Sequence, residues 1–365
     1  IAPPRAVVVR VAGDPEAVPA RIAVVSRREA APAEPLGLTV STGRLVRADP
    51  SPPPTLPDGF RVTERDGQHW VTASPGDHAL REDLRVPPGF GLALLPGTHL
   101  RMGAGVVIVV EGPVEIVGTA TRPVEISAQD EAWEGLVVLG ADRRSRIEHA
   151  RLRGVAPRPG SVGPRRDGWM QTGGVVFVDA PVSIAHVHFE DFATEDALNV
   201  LRADVDLRDV VFRRMVSDAF DGDFVRGEIE GAKLEDIGGD GIDLSGSEVV
   251  IRDVRARAVR DKAVSVGERS RVSVAGLDSE DGAFALVAKD GSVVDVRDVR
   301  TRDIWVALAA FTKKNEFGPA VLTASDLVVS GRSFPSLVQT GSRLTLDGRH
   351  VATRSFDSGD LYAPR

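Results

Sequence analysis

The sequence predicts an all-β fold, a single-stranded right-handed parallel β-helix with coils of roughly 22 residues. Three observations carry that expectation. A composition of 42% hydrophobic residues, with 37 glycines against 5% aromatics, favours valine-rich strands punctuated by turns over helices packed on large aromatic cores. From about residue 84, short apolar runs (Gly91–Leu95, Val106–Val110, Val114–Val117, Val124–Ile126, Gly135–Leu139) are separated by Gly- or Pro-containing turns that leave no room for crossover helices. Written from Glu195 in lines of 22, the chain falls into register, with lines starting at residues 195, 217, 239, 261 and 283 and no gap between them. A fixed period in the range of about 20 to 50 residues marks a solenoid, and several short strands per period make it a β-helix coil.

Taken in order, residues 1–60 read as an N-terminal extension. It has apolar bursts at Ala6–Val11 and Arg21–Val25 and closes on Ser51-Pro52-Pro53-Pro54, a semi-rigid extended linker. Residues 61–350 read as the β-helix and 351–365 as a C-terminal tail. An earlier coil is expected at Gly173–Val178 with Ser183–Phe189, and a later one at Trp305–Phe311 with Leu322–Val329.

Within the repeat, the fourth position of each line is Leu198, Phe220, Ile242, Val264, Leu286, then Leu308, and the sixth is Val200, Gly222, Leu244, Val266, Ala288. Period-2 alternation makes these two inward columns. Positions 3, 5 and 7 should then face outward. Position 3 (Ala197, Ala219, Gly241, Ala263, Ala285, Ala307) would form an open floor of small side chains. Position 5 reads Asn199, Asp221, Asp243, Ser265, Val287, and position 7 reads Leu201, Asp223, Ser245, Gly267, Lys289. Position 2 (Asp196, Asp218, Asp240, Lys262, then Phe284 and Val306) is expected to turn inward or into the corner, with Lys262 compensating Asp240. The second strand of each line slips by one residue after the third line, so the period applies to the first strand and not to the later turns.

Adjacent coils lie about 4.8 Å apart, which stacks Asp221 on Asp243 with Asp223 two residues along. Carboxylates at that spacing repel unless a cation, a proton or a basic partner compensates. The bland alternative is that these aspartates cap turns and pair with arginines. A hydrolase pair is one functional reading, one carboxyl acting as acid and the other as base or nucleophile.

The coils resemble the right-handed β-helix superfamily that includes pectate lyases, polygalacturonases and alginate epimerases, over roughly residues 84 to 350. More narrowly, the strings Asp167-Gly168-Trp169, Ser217-Asp218-Ala219-Phe220-Asp221-Gly222-Asp223, Gly239-Asp240-Gly241-Ile242-Asp243 and Lys313-Lys314-Asn315-Glu316-Phe317-Gly318 resemble a group of bacterial β-helix repeat proteins. The Gly239-Asp240-Gly241 turn resembles the acidic turn of polygalacturonases, but that family's paired aspartates and Gly-His-Gly are absent, so its mechanism does not transfer. The resemblance to β-helix lyases implies Ca²⁺, here held by Asp221, Asp223 and Asp243, with a lysine abstracting the C5 proton of a uronate. Candidate bases are Lys262, Lys289, Lys313 and Lys314.

Trp169 sits in the polar interruption 156–173, where the expectation is either a cleft wall that stacks on a sugar ring or a buried anchor for the loop. With Asn199, Glu268 and Lys314 it completes the candidate substrate-binding set. His186 and His188, two apart, would share a face, but no third ligand accompanies them. A formal charge of -8 argues against a nucleic-acid surface, and the absence of cysteine excludes disulfides and thiolate chemistry. No apolar run is long enough to cross a bilayer. The start at Ile1 suggests a processed or excised piece, with an upstream export signal or another domain expected before it. The expected place is extracytoplasmic.

The expected function is cleavage or modification of an acidic polysaccharide by a lyase, epimerase or hydrolase working on the outward acidic patch. The alternative is a non-catalytic structural or glycan-binding surface solenoid.

Overall fold

Residues one period apart are lateral partners: Leu198 pairs with Phe220, Phe220 with Ile242, Ile242 with Val264, Val264 with Leu286, and Leu286 with Leu308. The computed structural model, which describes residues 55–157, 165–166 and 169–362, is a right-handed parallel β-helix of about 12 turns. Expectations placed on residues 1–54 lie outside the described residues. Each coil contributes to three parallel sheets. One central coil, for example, supplies Asp218–Asp223, Arg226–Glu230 and Lys233–Ile237 in succession.

Three columns of left-handed residues mark the corners between sheets. One runs Asp179, Arg202, Phe224, Gly246, Glu268; a second includes His149, His186, Asp209, Asp253, Asp298; a third includes Asp191, Arg214, Asp236, Asp281, Asp303. Asp dominates because its short carboxylate can bond neighbouring backbone and offset the cost of positive φ. Asp303 Oδ1, for instance, accepts from the Arg332 amide at 3.0 Å. The corner columns also explain the one-residue slip. Both Glu268 (φ 53) and Arg269 (φ 64) are left-handed, where the preceding coil turns on Gly246 (φ 61) alone. The extra residue shifts the second sheet, so that Glu248 pairs with Arg271 and Val249 with Val272, one residue beyond the period. The first sheet keeps its register on both sides of that turn.

The predicted inward columns are core. Leu198, Phe220, Ile242, Val264, Leu286 and Leu308 are all at most 1% exposed, and Val200, Leu244, Val266 and Ala288 are buried with them. Position 3 is a correction. Ala197, Ala219, Ala263, Ala285 and Ala307 lie in the core rather than on an outer floor, and a Cβ at Gly241 would meet Leu234 Cδ1 at 2.5 Å. The lateral pairing skips this position, since Asp196 pairs with Asp218 and Leu198 with Phe220. Two successive residues therefore point inward where the chain leaves the corner, and only small ones fit there. Position 2, expected to turn inward, consequently joins positions 5 and 7 on the outer face.

That outer face has three zones. Val107, Val109, Val137 and Val176 form one buried apolar cluster. Phe284, Val287, Val306, Ala309, Phe311 and Leu337 form another, against which Trp305, Phe356 and Leu361 pack. Phe356 and Leu361 belong to the expected tail, which thus folds onto this face. Between the two apolar zones the coils starting at 195, 217, 239 and 261 present polar side chains. At the N-terminal end, Phe60–Arg65 and Gln68–Ala73 form an antiparallel hairpin through Asp66-Gly67, both with positive φ. This is the backbone a tight two-residue hairpin turn requires.

Candidate functional site

The polar zone gathers more carboxylates than alternation alone places there. Asp221 and Asp243 are lateral partners on adjacent parallel strands, and both lie outside the core. Because position 2 also faces outward, Asp196, Asp218 and Asp240 join them. Oxygens of Asp218, Asp240 and Asp243 lie within 4.8 Å of one another. The expected trio of Asp221, Asp223 and Asp243 is therefore not the tightest group, and only Asp243 is common to both.

Lysines supply the counter-charge. Lys262, 2% exposed, donates to both oxygens of Asp240 at 2.9 and 3.2 Å and also bonds Asp261. Its backbone amide donates to Asp240 Oδ1 as well, at 3.0 Å. Lys289 reaches back across a whole coil, its Nζ 3.5 Å from Asp243 Oδ1. Gly267 permits that reach, because a Cβ there would meet Lys289 Cε at 2.7 Å. Lys314 pairs with Glu268, which also accepts from Ser245 Oγ at 2.6 Å. The backbone amides of Lys313 and Lys314 both donate to Asp290 Oδ1 at 2.6 Å, fixing this loop beside the patch.

Burial and crowding keep protons in the site. The Asp196 carboxyl is pushed up to about 9 and that of Asp221 to about 8, in each case by burial first and then by neighbouring aspartates. Asp240 is raised to about 7 by burial, with Lys262 opposing. Asp218 and Asp223 are also raised, burial again leading. Lys313 is lowered by burial and by the charges of Lys289 and Lys262. Asp221 is thus an acid that holds its proton near neutrality, beside an Asp243 facing an ammonium.

Asn199 is only 3% exposed, and its amide is committed: Thr172 Oγ1 donates to its Oδ1 at 2.9 Å, and its Nδ2 donates to Asp221 Oδ2 at 3.2 Å. It orients Asp221 rather than facing solvent. The Ser265 hydroxyl, laterally between Asp243 and Val287, is buried on this face without a hydrogen-bond partner. The Trp169 side chain lies outside the described residues; its backbone pairs antiparallel with Arg166. His186 and His188 border the same surface cavity; His186 is a corner residue with φ 54 that stacks on His149, ring centroids 4.7 Å apart.

Strict alternation does not mark Asp196, Asp218 and Asp240 as site residues. The signal that could have found them is the unbroken Ala/Gly column at position 3 beside an apolar position 4, a sign of two consecutive inward residues.

In the tightest group, Asp218, Asp240 and Asp243, a dication would face the ammoniums of Lys262 and Lys289, which sit on two of the three carboxyls. Of the trio expected to hold Ca²⁺, Asp243 pairs with Lys289.

No family model matches the chain, and no curated protein matches it. Among solved structures it is similar to an alginate lyase from Paenibacillus sp. str. FPU-7, with a TM-score of 0.43 at 10% identity over 71% of this chain and 93% of that one. It is also similar to a double mutant of a periplasmic alginate epimerase, with a TM-score of 0.47 at 10% identity over 79% and 86%. The catalytic domain of a GH87 alpha-1,3-glucanase gives a TM-score of 0.42 at 11% identity over 76% and 63%. Among the described residues, no helix is long and apolar enough to cross a membrane.

Proposed function

We propose that this chain cleaves a polysaccharide, acidic in class and extracytoplasmic in place, at the polar zone of its outer face, with Asp221 as proton donor and Asp243, paired with Lys289, as the second carboxyl. One observation carries the reading: a carboxyl pushed up to about 8 lies on the strand next to a carboxylate held by Lys289. A carboxyl that keeps its proton beside a second carboxyl facing an ammonium suits acid–base cleavage of a glycosidic bond. In this reading Asn199 orients the acid, and Lys262 with Asp240 braces the neighbouring strands of the same face.

A second reading is favoured by Lys313, whose lowered pKa suits a base that abstracts a proton α to a uronate carboxyl. The two differ in product. Over a panel of polyuronates and neutral glucans, hydrolysis releases reducing ends without ultraviolet absorbance, whereas elimination produces an absorbing unsaturated uronate. Asp221→Asn and Asp243→Asn should each abolish reducing-end release with folding retained. Loss of an absorbing product on Lys313→Ala, with Asp221→Asn active, would replace the first reading by the second. Activity on no member of the panel by the parent would leave the non-catalytic solenoid as the better account. Calorimetric titration with Ca²⁺ should show no binding to the parent; tight binding lost in Asp243→Asn would return the cation to the site.

A further inference from the structure

Phe224 breaks the pattern of its corner. The other left-handed residues of that column are Asp179, Arg202, Gly246 and Glu268, types that are short, polar or without a side chain, or else held by an ion pair as Arg202 is by Asp179 at 2.9 Å. Phe224 adopts φ 54 while 61% exposed. A bulky residue in this region is strained, and one so exposed gains little from the core. Its ring lies against Gly246, where a Cβ would meet Phe224 Cδ1 at 2.6 Å, so the next corner leaves space for it.

The ring borders a surface cavity of about 440 Å³ whose walls include Arg202, Arg226, Arg269 and Arg271. Two carboxylates, Asp204 and Glu248, also line it, and Arg202 is held by Asp179, so the four arginines exceed these three carboxylates by one positive charge. Arg226 stands 4.0 Å from Glu248 with both side chains largely exposed, a weak pair in water. An aromatic face beside arginine forks is suited to a ring with an apolar face and a carboxylate or sulfate edge. Phe224 also directly follows Asp223, at the end of the strand that carries Asp221.

We infer that the Phe224 corner is a saccharide-binding subsite that stacks a sugar ring and holds its anionic group with the flanking arginines. This goes beyond the cleavage reading, since it concerns binding and stands on residues that the reading does not use.

The test is affinity electrophoresis of the full chain through gels containing polygalacturonate, alginate or, as the neutral control, dextran. The parent should be retarded by a polyuronate and not by dextran. Phe224→Gly should weaken that retention by about three- to tenfold, while relief of strain raises Tm by roughly 2 °C. Arg271→Gln should weaken retention similarly, and Arg300→Gln, on a strand beyond the Asp298 corner, should not. Retention unchanged in Phe224→Gly, equal retention by dextran, no retention by either polyuronate, or an equal loss in Arg300→Gln would each overturn the proposal. Because retention is read from mobility and cleavage from released reducing ends, failure of binding and failure of the cleavage reading are distinguishable.

Discussion

Replacing Asp221 with Asn should stabilise the protein, increasingly so as pH rises, while abolishing cleavage. Asp221 carries its proton in the folded state up to about 8, against an ordinary value of 3.8. A carboxyl raised in this way contributes stability that is fully present below the unfolded pKa and is lost as pH rises through the folded one. Between about pH 4 and 8 the parent should therefore lose stability to this group, at up to ~1.4 kcal/mol per pH unit. The upper bound over that window is ~6 kcal/mol; relaxation of the neighbouring aspartates and solvent reaching the half-buried carboxyl bring it to about half. Asn keeps the shape and the hydrogen-bonding capacity of the protonated acid and does not titrate. Chemical denaturation of both proteins at pH 5, 6, 7 and 8 reads the gap. It should widen with each step and level off above pH 8. A variant less stable than the parent at pH 8, or a gap equal at pH 5 and 8, would refute the argument that this carboxyl is held under electrostatic strain.

Two further outcomes follow from the core and its braces. Ile242→Asp should prevent soluble expression, because Ile242 is 1% exposed in the continuous column and an unpaired buried carboxylate costs several kcal/mol against a total of about 5–15; normal yield and a native circular dichroism spectrum would contradict it. Lys262→Met should cost about 3–5 kcal/mol at pH 8 by leaving Asp240 buried without its ammonium, and adding Asp240→Asn should recover most of that loss in the same denaturation assay.

The solenoid, its period, the two inward columns and the lateral stacking of Asp221 on Asp243 are all legible in the residue order. Those features follow from a 22-residue repeat and from strand alternation, both of which are local and can be counted. The pairing of Lys262 with Asp240 is legible for the same reason, since the two occupy one position of adjacent lines. The phase at the corner is not. Alternation fails where positions 3 and 4 both turn inward, because the chain bends there and the bend is a property of the stacked coil rather than of any residue in it. That single break moves Asp196, Asp218 and Asp240 to the outer face and converts a pair of carboxylates into a crowded group. The reach of Lys289 over Gly267 to Asp243, and the seating of Phe224 against Gly246, likewise join residues of different coils. The period aligns residues one coil apart, but which side chains extend over a glycine to a neighbour depends on the space the stacked coils leave.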